Sequence, residues 1–185
     1  MKTLKLFPLE LGRLLQSRLT WLIVLLTVLS PAAGLVLYRP ATATTMLSLY
    51  LANPAMAGGV AGGVLFGVLT VYELDRVSRS RADVLMDAAV SPLTMALTRL
   101  LALLAAAVGT LALTMLVWLP VSAGLIGSVF SGVDYALAYG LLMGLALPLS
   151  ILAAGAAYQF TRRADLSLSP PGPGNSPRSE RWRCR

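Results

Sequence analysis

ELDRVSRSRADVLMDAAVSPLTMALTR, residues 73–99, is the well-charged interval between the long apolar segments of this chain. Four basic residues (Arg76, Arg79, Arg81 and Arg99) sit there among four acidic ones (Glu73, Asp75, Asp83 and Asp87). The flanking residues read as membrane, so this interval is where the chain can address something in water. Its position predicts an all-α integral membrane protein with two spans before it and two after.

Composition supports that division. The chain has 185 residues, 57% hydrophobic and 12% charged, with a mean hydropathy of +0.76. A soluble domain of this length has too much surface to cover to be so apolar. There is no His, which excludes imidazole metal sites and Ser-His or Cys-His catalysis. The single Cys, Cys184, has no partner for an internal disulfide. The run GGVAGG lacks the Lys-Ser/Thr of a phosphate-binding loop, so neither a nucleotide site nor any other cofactor is expected. The net charge of +7 reads as membrane topology, not as nucleic-acid binding.

Residues 1–18 form a basic lead-in, with Phe7, Leu11, Leu14 and Leu15 at helical spacing and Glu10, Arg13 and Gln16 largely on the other side. Pro8 suits the first turn of that helix, and the natural place for such a helix is the membrane interface. The transmembrane domain then covers 19–163, with spans at about 19–38, 54–72, 100–119 and 135–160. Trp21 and Tyr38 lie near the ends of the first span and Trp118 near the outer end of the third, where aromatic rings favour the interface. PAAG, residues 31–34, resembles a signal cleavage site, but the apolar run continues to Leu37 and reads as a span. Asn53-Pro54 divides the interval from Met46 to Tyr72 into a short lip and the second span proper, a single tilted and kinked helix being the alternative. Pro120 is expected to stop the third span, and Pro148 to kink the fourth.

The second span carries a stripe of small residues at four-residue spacing: Gly58 and Gly62, then Gly59, Gly63 and Gly67. Ala136, Gly140 and Gly144 make a similar face in the fourth span. In lipid such stripes let a neighbouring helix approach to backbone contact, and that neighbour can belong to this chain or to a second subunit. Of the fifteen Lys and Arg residues, Arg39 alone falls in a loop assigned outside. The positive-inside bias therefore puts both termini and the central interval in the cytoplasm. Residues 164–185 are rich in Pro, Gly, Ser and Arg, and are expected to be a disordered basic tail.

Within the central interval, Ser80 and Asp83 have the spacing of a helix start, and Val84, Leu85, Ala88 and Ala89 give a short apolar face with Asp83 and Asp87 beside it. Ser91-Pro92 halts this helix and opens the next, with Arg99 snorkelling at the inner boundary. In its order of Glu73, Asp83-Val84-Leu85, Ser91-Pro92-Leu93 and Arg99, the interval resembles that of ABC-2 type permeases, the membrane subunits of ATP-driven exporters. The basic amphipathic start and first span share the likeness, which covers roughly residues 1–160. It implies a multi-pass protein of a cell membrane of the bacterial inner-membrane kind, without catalysis of its own. It also implies a separate ATPase docked on the 80–92 helix through Asp83, Val84, Leu85, Asp87, Ser91 and Pro92, and a homo- or heterodimer of permeases in lipid.

The family usually has six spans, so a truncated or frame-shifted reading frame near Ala164–Leu168 is the corresponding expectation; apolar spans in another frame of the downstream DNA would support it. A small accessory or assembly protein held in the membrane by helix packing is the alternative function. An enzyme is not expected, because the spans place nothing ionisable at depth for proton transfer.

Overall fold

A computed structural model describes residues 3–37, 47–79, 92–127 and 130–168. The expectations for 38–46, 80–91 and 169–185 lie outside the described residues. Among the described residues every element is a helix: α1 Thr3–Gln16, α2 Arg18–Leu29, α3 Pro31–Leu37, α4 Leu47–Arg79, α5 Pro92–Ile126, α6 Gly132–Ala138, a π-helical turn Tyr139–Met143, and α7 Gly144–Leu168. Four helical stretches are long and apolar enough to cross a membrane: Arg18–Leu37, Tyr50–Arg76, Thr94–Ile126 and Gly132–Thr161. The third, of 33 residues, is about 50 Å long, so it tilts within or projects beyond a hydrocarbon layer of ~30 Å.

Helix α4 is the axis of the bundle, and its two faces show why. Val60, Val64 and Val68 point outward, 58–68% exposed, as do Leu101, Leu116 and Leu149 on α5 and α7. An outer surface this apolar belongs in lipid. On the opposite face the glycine stripe meets the same chain. Gly58 lies against Pro31 and Met143, Gly59 against the Leu142 carbonyl, Gly62 against Leu147 and Thr27, Gly63 against Ser150 and Gly67 against Ala154. The neighbour left open by the sequence is therefore the last span, with the first span also touching the stripe. In the second small-residue face Gly144 touches Leu111, whereas Gly140 has nothing within 4 Å of an added Cβ. Phe66 and Leu69 of α4, Ala102 and Ala107 of α5, and Met143, Leu147 and Ile151 of the last span complete the core.

The prolines act differently from the sequence reading. Pro8, Pro54 and Pro120 all lie inside helices, so α1 begins before Pro8, α4 runs unbroken through Asn53-Pro54, and α5 passes Pro120. Each proline removes one backbone hydrogen bond, a loss that neighbouring helices make tolerable in a membrane bundle. Gly127, at a φ of 69°, is where α5 gives out. The fourth span departs from α geometry at the π-turn Tyr139–Met143, ahead of Pro148, which lies within α7. Helix α7 also extends to Leu168, so the first residues assigned to the tail are helical.

Pro31 is the proline that does break a helix. It has no N–H to give the Thr27 carbonyl, which instead accepts from the Ser30 N–H at 3.3 Å and the Ser30 hydroxyl at 2.7 Å. The adjacent Val28 carbonyl accepts from Trp118 Nε1 at 2.7 Å. Trp118 is thus a buried pin between α2 and α5. Tyr135 donates from its hydroxyl to the Met115 carbonyl at 2.6 Å and stacks at a tilt on Tyr139, which closes this aromatic end of the bundle. Several buried threonines donate to carbonyls of their own helices, as Thr70 does to Phe66 and Thr114 to Thr110, whereas the Thr20 and Thr27 hydroxyls have no protein partner.

Gly34 marks the closest approach of the first span to α4, since a Cβ there would sit 2.5 Å from the Asn53 carbonyl oxygen and 2.8 Å from Pro54 Cα. Backbone cannot yield as a flexible side chain can. Gly34→Ala should therefore destabilise the purified protein by about 1–3 kcal/mol in thermal or denaturant unfolding followed by circular dichroism. Gly109→Ala, with nothing within 4 Å of the new Cβ, should leave stability within about 0.5 kcal/mol. Equal effects at the two positions would contradict this packing.

Candidate functional site

The charged end of the bundle gathers three helices that the sequence keeps far apart. Helix α1 rests on α5, turning Leu14 into the core with Phe7 and Leu11 packed behind it. Leu15, expected on the same apolar face, is exposed. The face carrying Glu10 and Arg13 does not look into water; it meets the end of α4 and the start of α5. Arg13 Nη2 donates to Glu73 Oε2 at 2.8 Å and lies 3.0 Å from Glu10 Oε2. Glu73 is further approached by Arg76 at 3.6 Å, and Glu10 by Arg99 at 3.7 Å.

These contacts overturn one part of the sequence picture. Glu73 and Arg99 bound the interval read as facing water, yet Glu73 is only 5% exposed and the Arg99 side chain 17%. Arg99 does not snorkel freely; it is held between α1 and the core. A buried carboxylate needs an opposite charge and hydrogen-bond donors, and α1 supplies them from 60 residues away. A void of about 10 Å³ lies among Glu10, Arg13, Glu73 and Arg99. These side chains bring to it two acceptors (Glu10 Oε2 and Glu73 Oε1) and two donors (Arg13 Nε and Arg99 Nε) that have no protein hydrogen bond. That volume and donor set suit a single water.

Beside the ion cluster, a cleft of about 230 Å³ opens between α4, α5 and α7, with Arg99 in its wall. Nothing in this arrangement is a nucleophile poised beside a base.

Of the residues singled out for partner coupling, Asp83, Val84, Leu85, Asp87 and Ser91 lie outside the described residues, and Pro92 is the first residue of α5. The glycines singled out for packing lie along α4 and the fourth span, remote from any charged group in their contacts. Sequence reasoning missed the cluster itself. One signal was available: Glu73 and Arg99 each close an apolar span, and an ionisable group at such a border needs a partner. Glu10 and Arg13, three apart on one helix, are the nearest complementary pair. Comparison with protein-family models, with curated proteins and with solved structures gives no match. The functional reading therefore rests on the residues and their geometry.

Removing Arg13 leaves the Glu73 carboxylate buried without its hydrogen-bond donor, so Arg13→Ala should cost about 1–3 kcal/mol of stability. The double variant Arg13→Ala, Glu73→Gln should lose less than the sum of the single losses, with a coupling of about 0.5–3 kcal/mol. A double-mutant cycle on unfolding in detergent measures this, and strict additivity would contradict the pairing.

Proposed function

We propose that this chain is a membrane subunit of an ATP-driven transporter of the ABC-2 kind, coupled to a separate ATPase through residues 80–92. The observation that carries the reading is the bracing of both ends of that segment. The helix entering it, α4, carries Glu73, and the helix leaving it, α5, carries Arg99; each is contacted by one α1 pair, Arg13 with Glu73 and Glu10 with Arg99. A load on the segment would reach two spanning helices and α1 together, as transmission from a docked partner requires. The short apolar face of Val84 and Leu85, flanked by Asp83 and Asp87, suits a groove with basic groups at its rim. Two permease copies would form the pathway, with their cytoplasmic faces carrying this segment. Hydrolysis belongs to the partner.

The test is co-purification of the full chain with the product of an adjacent ATPase gene, repeated with Val84→Asp and Leu85→Asp. Recovery of the ATPase should fall at least about tenfold in each variant, since a charge placed in an apolar contact removes more than 1.4 kcal/mol of binding. Unchanged recovery would rule out docking through this face. Failure of the unaltered chain to bring down any ATPase would favour the alternative of a membrane accessory or assembly protein.

A further inference from the structure

In the ion cluster at the charged end, the carboxylates of Glu10 and Glu73 face the guanidinium groups of Arg13, Arg76 and Arg99. Among the described residues Arg99 is paired with Glu10, which lies 3.7 Å from Nε, beyond hydrogen-bond reach, and Nε itself is buried without a partner. Arg99 also stands in the wall of the 230 Å³ cleft between α4, α5 and α7.

The rest of that cleft is built for hydrocarbon. Leu74, Leu100, Leu103 and Ile151 line it, and its α7 wall runs out to Leu152 and Gln159, both exposed on the outer surface. Its volume is below the roughly 300–1,000 Å³ of sites that enclose a whole small molecule. It has room for a length of chain, with an under-used arginine at the polar level. A second cleft of about 280 Å³, between α1, α2 and α5, is lined by Leu11, Leu15, Trp21 and their neighbours and has no charged residue in its wall. Charge thus distinguishes the first cleft from an ordinary lipid-facing groove.

We propose that the α4–α5–α7 cleft binds one anionic phospholipid, with a phosphate oxygen on the Arg99 guanidinium and an acyl chain laid along Leu100 and Leu152. Arginine presents a planar fork of donors that matches phosphate. Basic pockets between spanning helices take anionic head groups for this reason. The lipid phosphate gives Arg99 an acceptor within reach, and the acyl chain covers apolar surface that the four spans leave open. The site follows from the bundle alone and does not depend on coupling to an ATPase.

The full chain, purified in dodecyl maltoside and mixed with equal amounts of dioleoyl phosphatidylglycerol and dioleoyl phosphatidylcholine, tests this by native mass spectrometry. One phosphatidylglycerol should be retained about fivefold over phosphatidylcholine, the weight of one basic residue against an anionic lipid. Arg99→Gln should abolish the preference, and Arg99→Lys should keep most of it. Gly155→Leu fills the cleft from a position where an added Cβ meets nothing within 4 Å. It should lower retention of both lipids with helix content unchanged, and so tests the site even if Arg99→Gln fails to fold. Equal retention of the two lipids by the unaltered chain, or undiminished retention by Gly155→Leu, would overturn the proposal. So would displacement of the lipid by millimolar inorganic phosphate, or a lipid-free dimer covering the cleft.

Discussion

A carboxylate buried at the end of an apolar helix sets the terms for the rest of this bundle. Glu73 sits in α4 at 5% exposure, and the donor that meets it, Arg13 at 2.8 Å, comes from the N-terminal helix. Without that donor the desolvated charge would favour the unfolded or rearranged chain. Helix α1 is therefore more than an amphipathic lead-in lying on a membrane. Its charged face points inward and its leucine face rests on α5, so the two spans that flank residues 80–91 are joined to a third element at the same level. Arg99 belongs to this junction, with Glu10 at 3.7 Å.

The opposite end is held by different means. There the break at Pro31 leaves carbonyls free, and Ser30 and Trp118 take them up. Between the two ends, the glycine stripe of α4 lets the last span approach closely along much of the helix. A strongly packed axis, pinned by hydrogen bonds at one end and by ion pairs at the other, fits a body that passes a load from one end to the spans as a unit.

Much of the architecture was legible in the residues. Four apolar intervals became four candidate spans because hydropathy over some twenty residues is a coarse signal that local irregularity does not erase. The glycine spacing announced close packing but not the partner, since periodicity is blind to which neighbour fills a groove. Proline was the poorest guide. Pro8, Pro54 and Pro120 lie within helices, while Pro31, read as interior, is where one ends; the difference at Pro31 is a serine hydroxyl in place to accept the broken geometry. The partners of Glu10 and Arg13, on the polar side of α1, are invisible in the sequence for a related reason. Helical spacing says which side chains share a face, but whether a charged face meets solvent or an opposite charge depends on a residue 60 positions away.

The most direct test of the account is whether α1 is docked on the bundle through this ion cluster. Leu14 of α1 and Leu103 of α5 line the same small void, so Leu14→Cys and Leu103→Cys, in a Cys184→Ser background, place two thiols across the α1–α5 contact. In native membranes a short bis-maleimide should join them within the full chain, so that the two fragments made by cleavage between the helices stay together as one species. Adding Glu73→Lys, which sets a positive charge against Arg13, should abolish most of that cross-link. No cross-link in the parent pair, or an equal yield with Glu73→Lys, would contradict the claim that the buried carboxylate organises this end of the protein.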